Sequence, residues 1–273
     1  MLAVVHIHKT AGTTLAGILK QSYGARHCHV YSEDPDAAFY SAHDLRRLKE
    51  RFYPRLDSMH GHDIRVYGDL EAEEPDIEYL TFLRDPIERC ASHYQYDVQV
   101  GGVDLPFEEW ITHDAVRDRM TRHIAGPDAA ASDAITMLGR ISFVGLQHRF
   151  DESLVLMQRR LGVPDIRYAR KWVAPSNEIK KRLLSDPESR RMLESVNRED
   201  VALYRHVLDE VYPKQVAEYG PGLDAAVAWL QRKNLRMSKW RMWARPRYAA
   251  YVATWRLRYL PWVERQRGSS TRA

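Results

Sequence analysis

The stretch VVHIHKTAGTTLAGIL, residues 4–19, constrains this chain more than any other. An apolar run of strand length, LAVVHIH, leads into a turn with one glycine, Gly12, and then into TTLAGILKQSY, where Leu15, Ile18 and Leu19 fall at helical spacing. A buried strand feeding a helix through so short a turn aims several backbone N–H groups and the positive end of the helix dipole at one point, which suits a phosphate or sulfate. Thr13 and Thr14 add hydroxyl donors, and Lys9 adds a point charge on a flexible stem. The plainer alternative is a strand-to-helix turn with threonine as its N-cap. An ATP-type loop does not fit, because G-x-x-x-x-G-K-[ST] puts the lysine last and here Lys9 stands three positions before Gly12.

The rest of the chain continues the alternation. Further strands are expected in DIRVYGDL (63–70), IEYLTFL (77–83) and ISFVGL (141–146). Helices are expected over 41–52, over 86–100 with a proline in the first turn, over 105–113, and over 149–162 ending in glycine. From about 176 to 230 the pattern is mostly helical. This order predicts an α/β, P-loop-like three-layer fold: a central, mainly parallel sheet flanked by helices, followed by a helical basic tail. We expect one domain over residues 1–230 and the tail over 231–273.

Charge sharpens that division. Residues 1–230 carry a net −7 and residues 231–273 a net +11, so the basic character is local and nucleic acid is not an expected partner of the main domain. With 44% hydrophobic and 29% charged residues, and no run of the roughly 18–20 apolar residues a membrane span needs, the composition is that of a soluble protein. No secretory-signal pattern precedes the first strand, which predicts a cytoplasmic protein. Cys28 and Cys90 are too few for a disulfide framework and are expected to be buried thiols.

The order K-T-x-G-T-T directly after a strand, with His6 three residues before Lys9, resembles the 5′-phosphosulfate loop of sulfotransferases that use PAPS (3′-phosphoadenosine 5′-phosphosulfate). It is most similar to the carbohydrate branch that includes heparan sulfate 2-O-sulfotransferase and bacterial relatives, whose loop reads H-I-P-K-T-x-G-T-T. Here His8 replaces the proline. TFLRDPIERCASHY (81–94) matches that family's 3′-phosphate motif, R-D-P-x-x-R-x-x-S-x-Y, at Arg84, Asp85, Pro86, Arg89, Ser92 and Tyr94. Without the resemblance it reads as a helix start capped by Asp85, with Glu88 and Arg89 in solvent. FVGLQHRFDESLVLM (143–157) is also similar to a family segment, with His148 in place of the usual glutamate. The resemblance implies that Lys9, Thr10, Gly12, Thr13 and Thr14 hold the 5′ end of PAPS and Arg84 and Ser92 its 3′-phosphate, with no metal required.

Transfer of a sulfuryl group to an alcohol needs a group that takes the acceptor's proton and one that stabilises charge on the departing phosphate. Lys9 suits the second role. For the first, a histidine with a pKa of about 6.5 is natural, but the chain has 12. The segment His60-Gly61-His62, expected just before a strand, resembles the H-G-H segment of the family, in which the second histidine is the base. That assigns the base to His62 and leaves His60 as a substrate contact. The alternative is that one or both of them cap or pack the edge of a strand.

Three rivals compete. The pairs His6/His8, His27/His29 and His60/His62 could serve a metal-dependent hydrolase, but no H-E-x-x-H and no cysteine ligand pair accompany them. A P-loop nucleotide kinase or NTPase shares the strand-loop-helix architecture but should carry a Walker loop. A protein that only binds anionic glycans would have no use for Lys9, His62, Arg84 and Ser92 together. In the tail, Tyr248, Tyr251, Trp255, Tyr259 and Trp262 lie on one helical face flanked by arginines. This is either an interfacial helix that brings the enzyme to an anionic membrane at the inner face, or a helix that packs its stripe on the body or on a second subunit.

Overall fold

The computed structural model describes residues 1–34, 36–169, 176–237 and 245–270, with side chains to 267. The part of the basic segment 167–182 that spans 170–175, and residues 238–244 at the start of the aromatic tail, lie outside the described residues.

Five strands form one sheet: β1 (Leu2–Val5), β2 (His27–His29), β3 (Ser58–Gly61), β4 (Glu78–Leu83) and β5 (Ile141–Leu146), in the order β2-β3-β1-β4-β5 and parallel throughout. Every residue of β1 is at most 4% exposed, as a central strand covered on both faces requires. The register pairs Val5 with Gly61 on one side and with Thr81 on the other, so β1 and β3 end at one level and β4 runs two residues beyond them. Strand order reverses at β1: the chain moves outward to β2, returns to β3, then crosses to β4. In parallel sheets the crevice beyond the carboxyl ends at such a reversal is where ligands bind.

Helix α1 (Gly12–Tyr23) follows β1, and α2 (Ala42–Arg51) starts at a capping box between Ser41 and Asp44. Helix α3 (Pro86–Gln99) follows β4; Asp85 accepts from the Glu88 N–H and Pro86 occupies the first turn. Short helices α4 (Phe107–Trp110), α5 (Arg119–Ala125) and α6 (Ala131–Met137) precede β5, and α7 (Phe150–Leu161) follows it. The chain then runs through α8 (Glu178–Ser185), α9 (Pro187–Ser195), α10 (Arg198–His206), α11 (Tyr212–Tyr219) and α12 (Leu223–Asn234). The main core surrounds the sheet. A second apolar cluster, including Ile87, Cys90, Tyr94, Phe107, Trp110, Leu183 and Leu193, clamps α3 to α4, α8 and α9. Cys28 and Cys90 are both fully buried free thiols.

Two expectations are corrected. Residues 63–70 form turns rather than a strand; the strand is Ser58–Gly61, so His62 follows a strand instead of preceding one. Ile64 and Val66 keep their alternating burial, but the Asp63 carbonyl bonds to the Tyr40 N–H and the Arg65 guanidinium takes the His62 and Ile64 carbonyls. Strand β2 was not anticipated as a strand, being only three residues long.

The tail packs on the body. Helices Pro246–Thr254 and Leu260–Ser270, joined by a wide turn at Trp255–Tyr259, bury Tyr251, Tyr259 and Trp262 and half-bury Tyr248 and Trp255. They lie along the open edge at β2. The Trp255 indole N–H donates to the His29 carbonyl at 2.8 Å, the Tyr259 hydroxyl bonds to the backbone of Tyr31, and Arg267 donates to the Ser32 carbonyl at 2.9 Å. Gly24, at φ 60°, lies so near the helix that a Cβ would sit 2.9 Å from the Arg247 carbonyl oxygen. Of the two readings of the stripe, lipid-facing or packed on the protein, the structure has the second: it lies against the body, where aromatic burial stabilises it and edge N–H and C=O groups find partners. No helix among the described residues is long and apolar enough to cross a membrane.

Candidate active site

The ends of β1, β3 and β4 deliver the chemistry. Just beyond them lies a cleft of about 600 Å³, lined by His6, His8, Lys9, Gly12, Thr13 and Thr14 from the first loop, His62 after β3, and Arg84 and Ser92 after β4. Gln95, Tyr96 and Gln99 of α3 line it too, with Gln147, Asn177 and Lys180 opposite. That volume is in the usual range for a nucleotide-sized ligand.

The loop before α1 is strained. Lys9 and Ala11 adopt φ of 69° and 72°, the left-handed region that non-glycine residues avoid, at a cost of about 1–3 kcal/mol each. Thr10, only 2% exposed, donates its hydroxyl to the Ile7 carbonyl at 2.9 Å and pins the loop from within, so its side chain does not reach the cleft. Thr14 and Leu15 N–H groups bond to the Ala11 carbonyl, which leaves the amides of Gly12 and Thr13 at the helix mouth where an anion is favoured. A Cβ on Gly12 would fall 1.6 Å from the His6 ring, so the glycine admits that ring.

Positive charge converges on the cleft. The Lys9 ammonium lies 4.2 Å from the centre of the Tyr96 ring, and burial, followed by repulsion from Arg84, lowers its pKa. Arg84 donates to the Lys9 carbonyl at 3.3 Å and pairs with Glu88 at 3.0 Å, while its Nε is buried with no partner among the described residues. Lys180 meets the same Glu88 at 2.8 Å; that bond, ahead of Arg84, holds the Glu88 carboxyl below its usual range. Glu88 is thus not in free solvent but ties α3 to α8 across the cleft. Arg89 is also not solvated: it is fully buried and bonds to Asn197, 3.9 Å from Asp200, which anchors α3 to α10.

His62 occupies the centre of a stack of imidazoles. Its ring lies 4.1 Å from His6 and 3.8 Å from His8, with interplanar angles of 24° and 13°. Its Nδ1 is 3.0 Å from the His6 carbonyl oxygen. A carbonyl only accepts, so Nδ1 carries the proton and Nε2 of the neutral ring holds the free lone pair. Burial lowers the His62 pKa; Arg119 and Arg65 add to that, against the His6 carbonyl and Asp63. His8, which stands where the family resemblance leads one to expect proline, turns into the cleft. Arg119 donates to its Nδ1 at 3.2 Å, and burial, then His62 and Arg119, depress its pKa. His93 is held near 3, chiefly by burial.

His60 does not join them. It is 3% exposed, bonds through Nδ1 to His27 Nε2 at 2.9 Å, and stacks on His29 at 4.1 Å. A ring so enclosed is a core group, and the expected substrate contact at His60 is withdrawn. The histidines of the His-x-His pairs stack on one another, except His27 and His60, which bond nitrogen to nitrogen, and no group of three or more His, Cys, Asp or Glu among the described residues is arranged to hold a metal. Sequence reasoning missed Tyr96, Asn177 and Lys180. Tyr96 stands one helical turn after Ser92 and is 41% exposed, a large aromatic left bare at the cleft; Lys180 lies among the basic residues of RYARKWVAPSNEIKKR (167–182), where positive charge alone does not single out one lysine.

The fold is a parallel α/β sheet with a cationic, nucleotide-sized cleft at its reversal point. The model of the sulfotransferase family matches residues 1–206, and the chain belongs to that family. Among solved structures, the crystal structure of a sulfotransferase from Alicyclobacillus acidocaldarius superposes with a TM-score of 0.40 at 16% identity, covering 74% of this chain and 98% of that one. Comparison with curated proteins gives no match.

Proposed function

We propose that this sulfotransferase takes its sulfuryl group from PAPS and moves it to a hydroxyl of a carbohydrate, in the manner of the heparan sulfate 2-O branch and its bacterial relatives. The observation that carries the reading is the 3.0 Å contact of His62 Nδ1 with the His6 carbonyl oxygen, beside a cleft that His62 shares with Lys9; it leaves Nε2 of the neutral ring to act as a base. The cationic cleft, the helix-mouth amides and the unpartnered Arg84 Nε fit a ligand with an anion at each end.

In this reading the Gly12 and Thr13 amides and the Thr13 and Thr14 hydroxyls bind the 5′ end. Thr10 acts from behind by fixing the loop. Arg84 and Ser92 bind the 3′-phosphate. His62 Nε2 accepts the acceptor hydroxyl's proton as that oxygen bonds to sulfur, and the electron pair of the breaking S–O bond passes to the phosphate oxygen beside the Lys9 ammonium.

Two measurements test it. PAP should raise the unfolding midpoint by mass action while ATP with Mg²⁺ does little; a larger response to ATP would overturn the donor assignment. Labelled PAPS screened against glycan, glycolipid and small-alcohol pools identifies the acceptor. With that acceptor His62→Ala should lower kcat by about 10²–10⁴ with PAP binding retained, and turnover within threefold of wild type would remove His62 from the role.

A further inference from the structure

On the far side of the His62–His8 pair lies a second cavity, of about 290 Å³, whose lining includes Arg65, Arg117, Arg119, Arg122, His123 and Tyr67. Its one acidic lining residue, Asp114, is engaged by Arg122 at 2.8 Å. Arg65 donates to the His62 and Ile64 carbonyls and to His123, and Arg119 to the Ala115 carbonyl and to His8. Among the described residues neither of them, nor Arg117, forms an ion pair, and the Arg119 Nε is buried without a partner. Gathering guanidiniums without counter-charge is unfavourable: repulsion from Arg89 and Arg65 adds to burial in lowering the Arg119 pKa, against attraction from Asp97 and Asp200. Among the described residues no carboxylate lies within ion-pair distance of Arg65, Arg117 or Arg119.

We propose that this cavity is a second oxyanion site, one guanidinium away from His62, that holds a sulfate, phosphate or carboxylate group. The planar N–H forks of Arg117 and Arg119 match the paired oxygens of such a group, and Arg65 and Tyr67 bring further N–H and O–H groups to the same lining. The cavity is too small for a nucleotide and suits a single oxyanionic group, either free or carried by a sugar.

The test uses the full chain saturated with PAP, so that the donor cleft is already filled. Inorganic sulfate is titrated in at constant ionic strength while the His123 Cε1–H resonance is followed. Saturable movement of that signal is expected, with the dissociation constant raised at least tenfold in Arg117→Glu, an exposed position that leaves folding intact. Arg258→Glu, an exposed charge reversal in the tail, should leave it unchanged. Competition by methyl glucuronide but not methyl glucoside assigns the site to a sugar-borne group; sulfate binding without such competition assigns it to a free anion. An unmoved His123 signal, equal affinity in Arg117→Glu, or equal weakening in Arg258→Glu overturns the proposal. Because PAP binding is recorded in each sample, failure of the donor reading shows separately.

Discussion

Replacing Gly12 by alanine tests the geometry of the site with one methyl group. The added Cβ would fall 1.6 Å from His6 Nε2 and 2.0 Å from its Cδ2, well inside van der Waals contact, so the ring must move. It cannot move freely, because its other face stacks on His62 at 4.1 Å. Overpacking of this kind costs about 1–3 kcal/mol. Alanine's better helix propensity returns at most about 1 kcal/mol. The net loss of up to about 2 kcal/mol lowers the unfolding midpoint by up to about 4 °C, because the unfolding entropy of a chain this long is roughly 0.6 kcal/mol per kelvin. Displacement of His62 by the order of 1 Å adds a fall of about 10²-fold in kcat/KM. The decisive variant is Gly12→Ala with His6→Ala. It removes the obstructing ring but keeps the His6 carbonyl that orients His62 Nδ1. With wild type and both single variants measured by thermal unfolding, the cycle should give a coupling of about 1–3 kcal/mol, and the double variant should turn over faster than Gly12→Ala alone. A double variant neither more stable nor more active than Gly12→Ala would refute the idea that Gly12 exists to admit His6.

The buried imidazoles also set a pH dependence. Unfolded histidine titrates near 6.5, whereas burial lowers His29 and His93 to about 3 and holds His6, His27, His60 and His123 well below normal. Below pH 6.5 the unfolded chain binds protons that the native rings refuse, so their stability contribution is full above 6.5 and lost as pH falls toward the folded-state values. Each such ring steepens the decline by about 1.4 kcal/mol per pH unit; a urea midpoint equal at pH 7.5 and 5.5 would contradict this. Truncation near residue 230 should destabilise the body, since Tyr251, Tyr259 and Trp262 each bury side chains worth roughly 1.5–3 kcal/mol. Co-sedimentation with anionic liposomes should be no stronger for the full chain than for the truncated one; clear tail-dependent partitioning would show that the aromatic face leaves the body.

What could be read from the sequence depended on how local the cause was. The β1-loop-α1 unit, β4 and β5 are dictated by short apolar runs and nearby turn residues, and appear where periodicity put them. Asp85 and Pro86 define the start of α3 in the same way. The alternation Ile64–Val66 was equally visible, but burial and strand pairing are different things: it reports which side chains face inward, not where the backbone hydrogen bonds go. The division of labour among histidines was invisible. His60 and His62 are two residues apart in one motif, yet one is enclosed by His27 and His29, from a strand without a strong pattern, and the other faces the cleft. The Arg119 contact to His8 spans 111 residues and carries no periodic signal. The tail's aromatic stripe was correctly seen as one face; the pattern gave the face, and only tertiary packing gave its partner.

That partner raises a matter of timing. The edge at β2 is finished by groups more than 220 residues further along: Trp255 serves the His29 carbonyl across 226 positions, and Arg267 serves Ser32 across 235. During synthesis at about 5–20 residues per second, the N-terminal half waits roughly 10–45 s, after β2 has been made, for the segment that closes it. Throughout that interval a nascent chain carries an open strand edge, the kind of template on which neighbouring chains pair. These late-made helices therefore shield the edge only after the rest of the sheet is complete, and polysomes translating a message cut short before them should accumulate insoluble product even though the family-matched region, residues 1–206, is intact.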